Sequence, residues 1–196
     1  MKSAIWYFDF VSPFAYLCLH RLGELPPALQ IEYRPVLFAG LLGHWGQKGP
    51  AELETKRRYT YRWCHWWAQR LGIPFRFPAA HPFNPLHHLR LAIACGSTPA
   101  AVRRIFDSIW VDGGDASDQR RFAALCAELG VSPEALAGAA VKDALKKNTD
   151  AAARSGVFGV PTFGIDGELF WGADSIDYLK DFLVEDRKST RLNSSH

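Results

Sequence analysis

Apolar and polar positions change period along this chain, and each change marks an element. Residues 4–10 (AIWYFDF) form a nearly continuous apolar run, the pattern of a buried strand, which breaks at Ser12-Pro13. Apolar residues then recur at helical spacing over 13–22, and 29–36 reads as a second strand. A strand–helix–strand unit of this kind predicts two parallel strands joined by a right-handed crossover. Gly and Pro punctuate 40–50. A long helix is expected over 50–71, with Glu52 and Glu54 in its first turn and Gly72 as its stop. Its aromatics Tyr59, Trp63, Trp66 and Trp67 fall at helical spacing and read as core. Residues 74–85 read as a proline-rich linker, followed by helices at 86–95, 99–111, 118–129, 133–139 and 141–154. Strand pattern returns at 157, with strands at 162–165 and 168–171 around an Asp166-Gly167 turn, and a terminal helix over 174–183. The order is βαβ, a helical block, then ββα. It predicts an α/β fold in which residues 1–36 and 157–185 build one discontinuous domain on a four-stranded mixed sheet. Residues 37–156 are then a large all-helical insertion.

Composition narrows the class of protein. In 196 residues, 48% hydrophobic and 13% aromatic content suffices for a real core and argues against disorder. No apolar stretch reaches transmembrane length, and the N-terminus lacks the basic–apolar–small order of a secretory signal, so a soluble cytoplasmic chain without a membrane partner is expected. Cys18, Cys64, Cys95 and Cys126 are too widely spaced for a redox or metal motif, which leaves buried free thiols. The seven histidines show no ligand pattern either, and the adjacent His87 and His88 should face different sides of their helix. Residues 186–196 (DRKSTRLNSSH) lack apolar period and match one reading frame of a common sequencing adapter. They are read as an assembly artefact, outside the fold. The formal charge of +3 falls to +1 without this segment, so the basic balance points to no nucleic-acid partner.

Candidate chemistry begins at the first break. Ser12 stands where an N-cap belongs, and Pro13 occupies the first helical position, where its missing N–H costs nothing. A helix N-terminus stabilises an anion placed against it. Thioredoxin-like oxidoreductases hold the thiolate of a CxxC motif at such a point. Here the four residues are Ser12, Pro13, Phe14 and Ala15, so a thiolate must come from elsewhere. The plain alternative is an ordinary cap, since Thr98-Pro99 and Ser132-Pro133 repeat the pattern. A second feature, Gly156 to Thr162 (GVFGVPT), places Pro161 just before a short strand. A cis Val160–Pro161 bond there would leave the Val160 N–H and C=O free to bind a peptide as an added strand. A trans edge-strand proline is the alternative.

FDFVSPFAYL near the start, GVFGVPTF late and FWGADSIDYL near the end, in this order, resemble the 2-hydroxychromene-2-carboxylate isomerases. KRRYTYRWCHWWAQRLGIPFRFP and VKDALKKNTDAAARSG support the resemblance, which covers residues 2–183. These isomerases belong to the DsbA-like branch of the thioredoxin superfamily, beside the kappa-class glutathione transferases. The resemblance implies a thioredoxin-like βαβ…ββα fold, glutathione as cofactor, a small aromatic substrate and a homodimer. It implies that Ser12 contacts the glutathione sulfur and that Val160, before Pro161, pairs with the cysteinyl backbone. Trp171, Gly172, Ala173 and Asp174 match the segment that holds the γ-glutamyl end, with Ser175 beside them. Lys56 matches a basic position that meets a glutathione carboxylate; its alternative role is a solvated charge, as an N-cap is that of Asp174. Four positions depart from the family pattern. Ala173 replaces Asn, Ser175 replaces Arg, Gln47 stands where a loop Asn is common, and Leu42 stands where a basic residue can serve the substrate carboxylate. The implied reaction interconverts 2-hydroxychromene-2-carboxylate and trans-o-hydroxybenzylidenepyruvate, with the substrate carboxylate met from residues 37–48 or 81–84. The rival readings are a kappa-like glutathione transferase and a non-catalytic peptide-binding module.

Overall fold

The computed structural model describes residues 2–193, with side chains described through residue 185. Strand β1 (Ser3–Phe8) buries Trp6 and Phe8 completely, which is why its apolar run reads as continuous. Helix α1 (Pro13–Arg21) follows, and strand β2 (Gln30–Pro35) pairs with β1 in parallel, Ser3 opposite Gln30 and Phe8 opposite Pro35. Strand β3 (Thr162–Ile165) runs antiparallel to β1, and β4 (Glu168–Trp171) antiparallel to β3, giving the order β2-β1-β3-β4. Asp166 and Gly167 both take positive φ, 51° and 86°, which suits the tight right-twisting turn between β3 and β4. The expected four-stranded mixed sheet is present.

Between β2 and β3 lie α2 (Phe38–Trp45), α3 (Glu54–Leu71), α4 (Leu86–Ala94), α5 (Pro99–Trp110), α6 (Gln119–Glu128), α7 (Pro133–Ala137) and α8 (Ala139–Arg154). Thr98 and Ser132 cap α5 and α7 as their sequences predict, each side-chain oxygen accepting an N–H from three residues on. One core spans both regions: Phe8 and Phe10 pack with Phe106, whose ring centroid lies 4.6 Å from that of Phe10. Burial of each such ring contributes on the order of 1.5–3 kcal/mol. Trp110 of α5 donates its indole N–H to the Phe10 carbonyl at 3.0 Å. The helical block thereby grips the segment that leads into Ser12.

Four expectations change. The Gly-punctuated stretch 40–50 contains α2, because tertiary contacts outweigh the low helix propensity of Gly40 and Gly43. Leu41 is fully buried there, and Trp45 donates to the Val157 carbonyl at 2.9 Å. The 74–85 linker is tied down: Arg76 N–H bonds to the Trp110 carbonyl, Ala79 N–H bonds to that of Gly114, and Phe75 stacks on Trp110. Of the α3 aromatics, Trp63 and Trp67 pack against the core, but Tyr59 (69%) and Trp66 (54%) are exposed, since α3 offers only one face to α1. Helix α9 (Ile176–Asn193) runs past residue 183, and the side chains of 186–196 lie outside the described residues.

Candidate active site

Asp9, Phe10, Val11 and Ser12 make the turn between β1 and α1. Ser12 N–H donates to the Asp9 carbonyl at 3.1 Å, and Ser12 is extended (φ −90°, ψ 114°) before the first helical turn. Its Oγ accepts the Ala15 N–H at 3.2 Å, so it caps α1. The same hydroxyl donates to the Val160 carbonyl at 3.4 Å. That bond is long and exchanges readily for a better acceptor. No acid occupies the first turn of α1 itself; the nearest carboxyl on the preceding turn is that of Asp9.

Val160–Pro161 is cis, and so is His81–Pro82, which the sequence does not single out. Among the described residues Val160 N–H has no hydrogen-bond partner, whereas its carbonyl, expected to be free, already accepts from Ser12. The loop is held from behind: Thr162 Oγ1 donates to the Gly159 carbonyl at 2.7 Å, and Gly172 N–H to the Pro161 carbonyl at 2.9 Å. The Trp171 indole lies across Gly159, where a Cβ would come within 2.6 Å of its Nε1. Only glycine permits that approach.

Ser12 and Val160 open into a cleft of about 520 Å³, whose other walls carry Gln47, Lys56 and Trp171. The fold therefore brings five of the expected site residues together. Pro161, Gly172, Ala173, Asp174 and Ser175 do not line this cleft. Ala173 is buried, and its carbonyl accepts from Arg21. Ser175 turns back to donate to the Gly172 carbonyl at 2.7 Å. Asp174 is exposed in a single 3-10 turn (Ala173–Ser175) and makes no capping bond, so the plain N-cap role is not the one it plays. Its carboxylate crowds Gly172, whose φ of 99° excludes a side chain there.

No cysteine competes for the anion position. The four are free; Cys18, Cys64 and Cys126 are buried and Cys95 is half-buried, not fully buried as the sequence suggested. Burial raises the pKa of every one, that of Cys64 to about 12 and that of Cys18 further still. His88 is buried and His87 exposed, although both rings lie beside that of Phe122.

Three further residues line the cleft; the sequence assigns Asp9 and Tyr61 no role, and places His81 only within the 81–84 segment expected to meet the substrate carboxylate. Asp9, completely buried, accepts Val11 N–H at 3.1 Å on one oxygen and Phe38 N–H at 2.8 Å on the other, bolting the Ser12 turn to the start of α2. A lone acid inside the apolar run AIWYFDF was the available signal. Burial pushes its carboxyl up to about 7, against backbone N–H bonds that favour the charged form. The folded protein thus keeps a proton that the unfolded chain releases near pH ~4. This group's contribution to stability therefore declines as pH rises from about 4 to about 7. Relative to Asp9→Asn, wild-type melting temperature should fall across that window; parallel curves would show that Asp9 is not so perturbed. The comparison cancels the opposite trend from His20 and His88, whose neutral forms are favoured by burial. Tyr61 and His81 are the other two: the Tyr61 hydroxyl lies 2.5 Å from His81 Nδ1, and His81 Nε2 lies 2.7 Å from the Val11 carbonyl.

A buried serine at a helix N-terminus, facing the backbone before a cis-proline on a βαβ…ββα sheet, defines a thioredoxin-like site that has lost its own sulfur. The DSBA-like thioredoxin domain family matches residues 5–184. The chain is 30% identical to a Sphingobium xenophagum protein named 2-hydroxychromene-2-carboxylate isomerase, over 94% of this chain and 99% of that one. A solved structure of 2-hydroxychromene-2-carboxylate isomerase superposes with a TM-score of 0.82 at 28% identity, covering 97% of this chain and 98% of the other. Glutathione S-transferase kappa 2 of Caenorhabditis elegans is 27% identical over 94% of this chain and 92% of its own. The chain belongs to the 2-hydroxychromene-2-carboxylate isomerase family within the DsbA-like class, and it is an isomerase. Among the described residues no helix is long and apolar enough to cross a membrane.

Proposed function

We propose that this protein is a glutathione-dependent isomerase of 2-hydroxychromene-2-carboxylate or a closely related conjugated aromatic keto acid. The observation that carries the reading is Ser12 Oγ, set at the N-terminus of α1, where it accepts the Ala15 N–H and directs its own proton into only a long 3.4 Å bond to the Val160 carbonyl. The residues fit glutathione. Among the described residues, Val160 N–H is an unused donor on the cleft wall, Lys56 is an exposed cation there without an ion pair, and Asp174, beyond the cleft wall, is an exposed acid without one. Val160 would hold the cysteinyl backbone, Lys56 a carboxylate and Asp174 the γ-glutamyl ammonium. When bound, glutathione supplies a thiolate that adds reversibly to the conjugated carbon and removes the double-bond character that blocks rotation. Ser12 turns its hydroxyl from Val160 toward the sulfur, and the free N–H groups of α1 favour the negative charge. Phe14, Phe38 and Phe83 give the cleft an apolar wall suited to an aromatic ring. A dimeric, cytoplasmic enzyme is part of the same proposal.

Leu42 on the cleft wall favours one rival, the kappa-like transferase, because it offers no charge to a substrate carboxylate. Reaction products separate the two. With a hydroxylated benzylidenepyruvate, glutathione should act catalytically and be recovered unchanged, and conjugation of chloro-dinitrobenzene should be slight. Strong conjugation without isomerisation would make the protein a transferase.

A further inference from the structure

The cyclic form of the proposed substrate is a hemiketal, and its C=C bond cannot rotate until the ring opens. Opening moves a proton: the C2 hydroxyl must lose one, and the phenolic oxygen that leaves C2 must gain one. Ser12 and Lys56 are assigned to the thiol and its carrier, so this transfer needs another group.

Tyr61 and His81 share the cleft wall with Ser12. The Val11 carbonyl can only accept, so the 2.7 Å contact fixes a proton on His81 Nε2. In the neutral ring Nδ1 is then a bare acceptor, and the Tyr61 hydroxyl, 2.5 Å away, donates to it. Burial lowers the His81 pKa and raises that of Tyr61, so both are neutral near pH 7. The Tyr61 oxygen also lies 3.0 Å from the His81 carbonyl, a second acceptor for its hydroxyl proton. The pair therefore has two satisfied states. In the first, Tyr61 donates to Nδ1. In the second, a protonated Nδ1 donates to Tyr61, and Tyr61 donates to the His81 carbonyl.

We propose that Tyr61, backed by His81, is the acid–base residue that opens and closes the hemiketal ring, an inference that rests on the isomerase reading for its substrate. Tyr61 Oη takes the proton of the C2 hydroxyl as its own proton passes to Nδ1. The electron pair left on the C2 oxygen forms the ketone, and the C2–O bond breaks toward the phenolic oxygen. That oxygen then takes a proton from Tyr61, and Nδ1 returns its proton to Tyr61. No proton is gained or lost, and no thiol takes part. His81 is the positioning partner, tied to the residue before Ser12.

Because this step needs no glutathione, it can be followed without it. NMR exchange spectroscopy of 2-hydroxychromene-2-carboxylate and its cis open-chain form should show faster interconversion with the wild-type protein than in buffer. Tyr61→Phe should reduce that acceleration about 100-fold, with glutathione affinity unchanged, and His81→Gln should do the same. Acceleration undiminished in Tyr61→Phe, or none with wild type, would overturn the proposal. Ring opening without any glutathione-dependent trans product would leave this proposal standing and refute the isomerase function.

Discussion

Ser12→Ala is expected to cut glutathione-dependent turnover by roughly one to three orders of magnitude, the range for removing one donor aimed at a developing or resident anion. The loss has two parts. The hydroxyl is the side-chain donor at the N-terminus of α1, and its oxygen also caps that helix through Ala15 N–H. Cap loss alone costs about 1 kcal/mol of stability, too little to unfold the domain. Activity should therefore collapse while the fold persists. Ser12→Thr keeps the hydroxyl and should recover much of the rate. Equal rates in wild type and Ser12→Ala would reduce Ser12 to a helix cap.

Trp110→Ala should give the largest loss of stability, about 3–5 kcal/mol for a buried tryptophan. Three connections meet at this residue. Its ring stacks on Phe75, its indole N–H satisfies the Phe10 carbonyl, and its own carbonyl accepts Arg76 N–H. The substitution leaves a cavity between α5 and the 74–85 segment and an orphaned carbonyl beside the Ser12 turn. Urea denaturation should show the midpoint fall sharply, and glutathione affinity should weaken with it. Trp110→Phe, which fills most of the space, isolates the cost of the lost indole bond at about 1–3 kcal/mol. A loss below about 1 kcal/mol for Trp110→Ala would mean that α5 does not brace the turn.

Short-range chemistry made much of this legible. Caps at Ser12, Thr98 and Ser132 each span only four consecutive residues, and the structure forms all three caps. Strands β3 and β4 have the predicted bounds because Asp166-Gly167 fixes the turn between them. Helix α2 was illegible because its stability comes from Leu41 burial and the Trp45–Val157 bond, across more than a hundred residues. Ser12, Gln47, Lys56, Val160 and Trp171, named from local motifs and from the family resemblance, all line the one cleft. Asp9 and Tyr61 were missed, and His81 was named only as part of 81–84, for a different reason. Each takes its meaning from one distant partner: Phe38 for Asp9, and Val11 for the His81 that Tyr61 contacts. Neither periodicity nor a local motif encodes such pairs.

On the proposed function this chain, lacking a usable thiol of its own, would ionise a borrowed one at the N-terminus of α1. Ultraviolet titration of the glutathione complex against pH reads that ionisation, because a thiolate absorbs where a thiol does not. Wild type should show a saturable thiolate signal near neutral pH, with an apparent thiol pKa well below that of free glutathione. Ser12→Ala should lose the signal or move it to higher pH. Glutathione that binds with the pKa of the free thiol, or a signal unchanged in Ser12→Ala, would show that Ser12 and α1 do not ionise it.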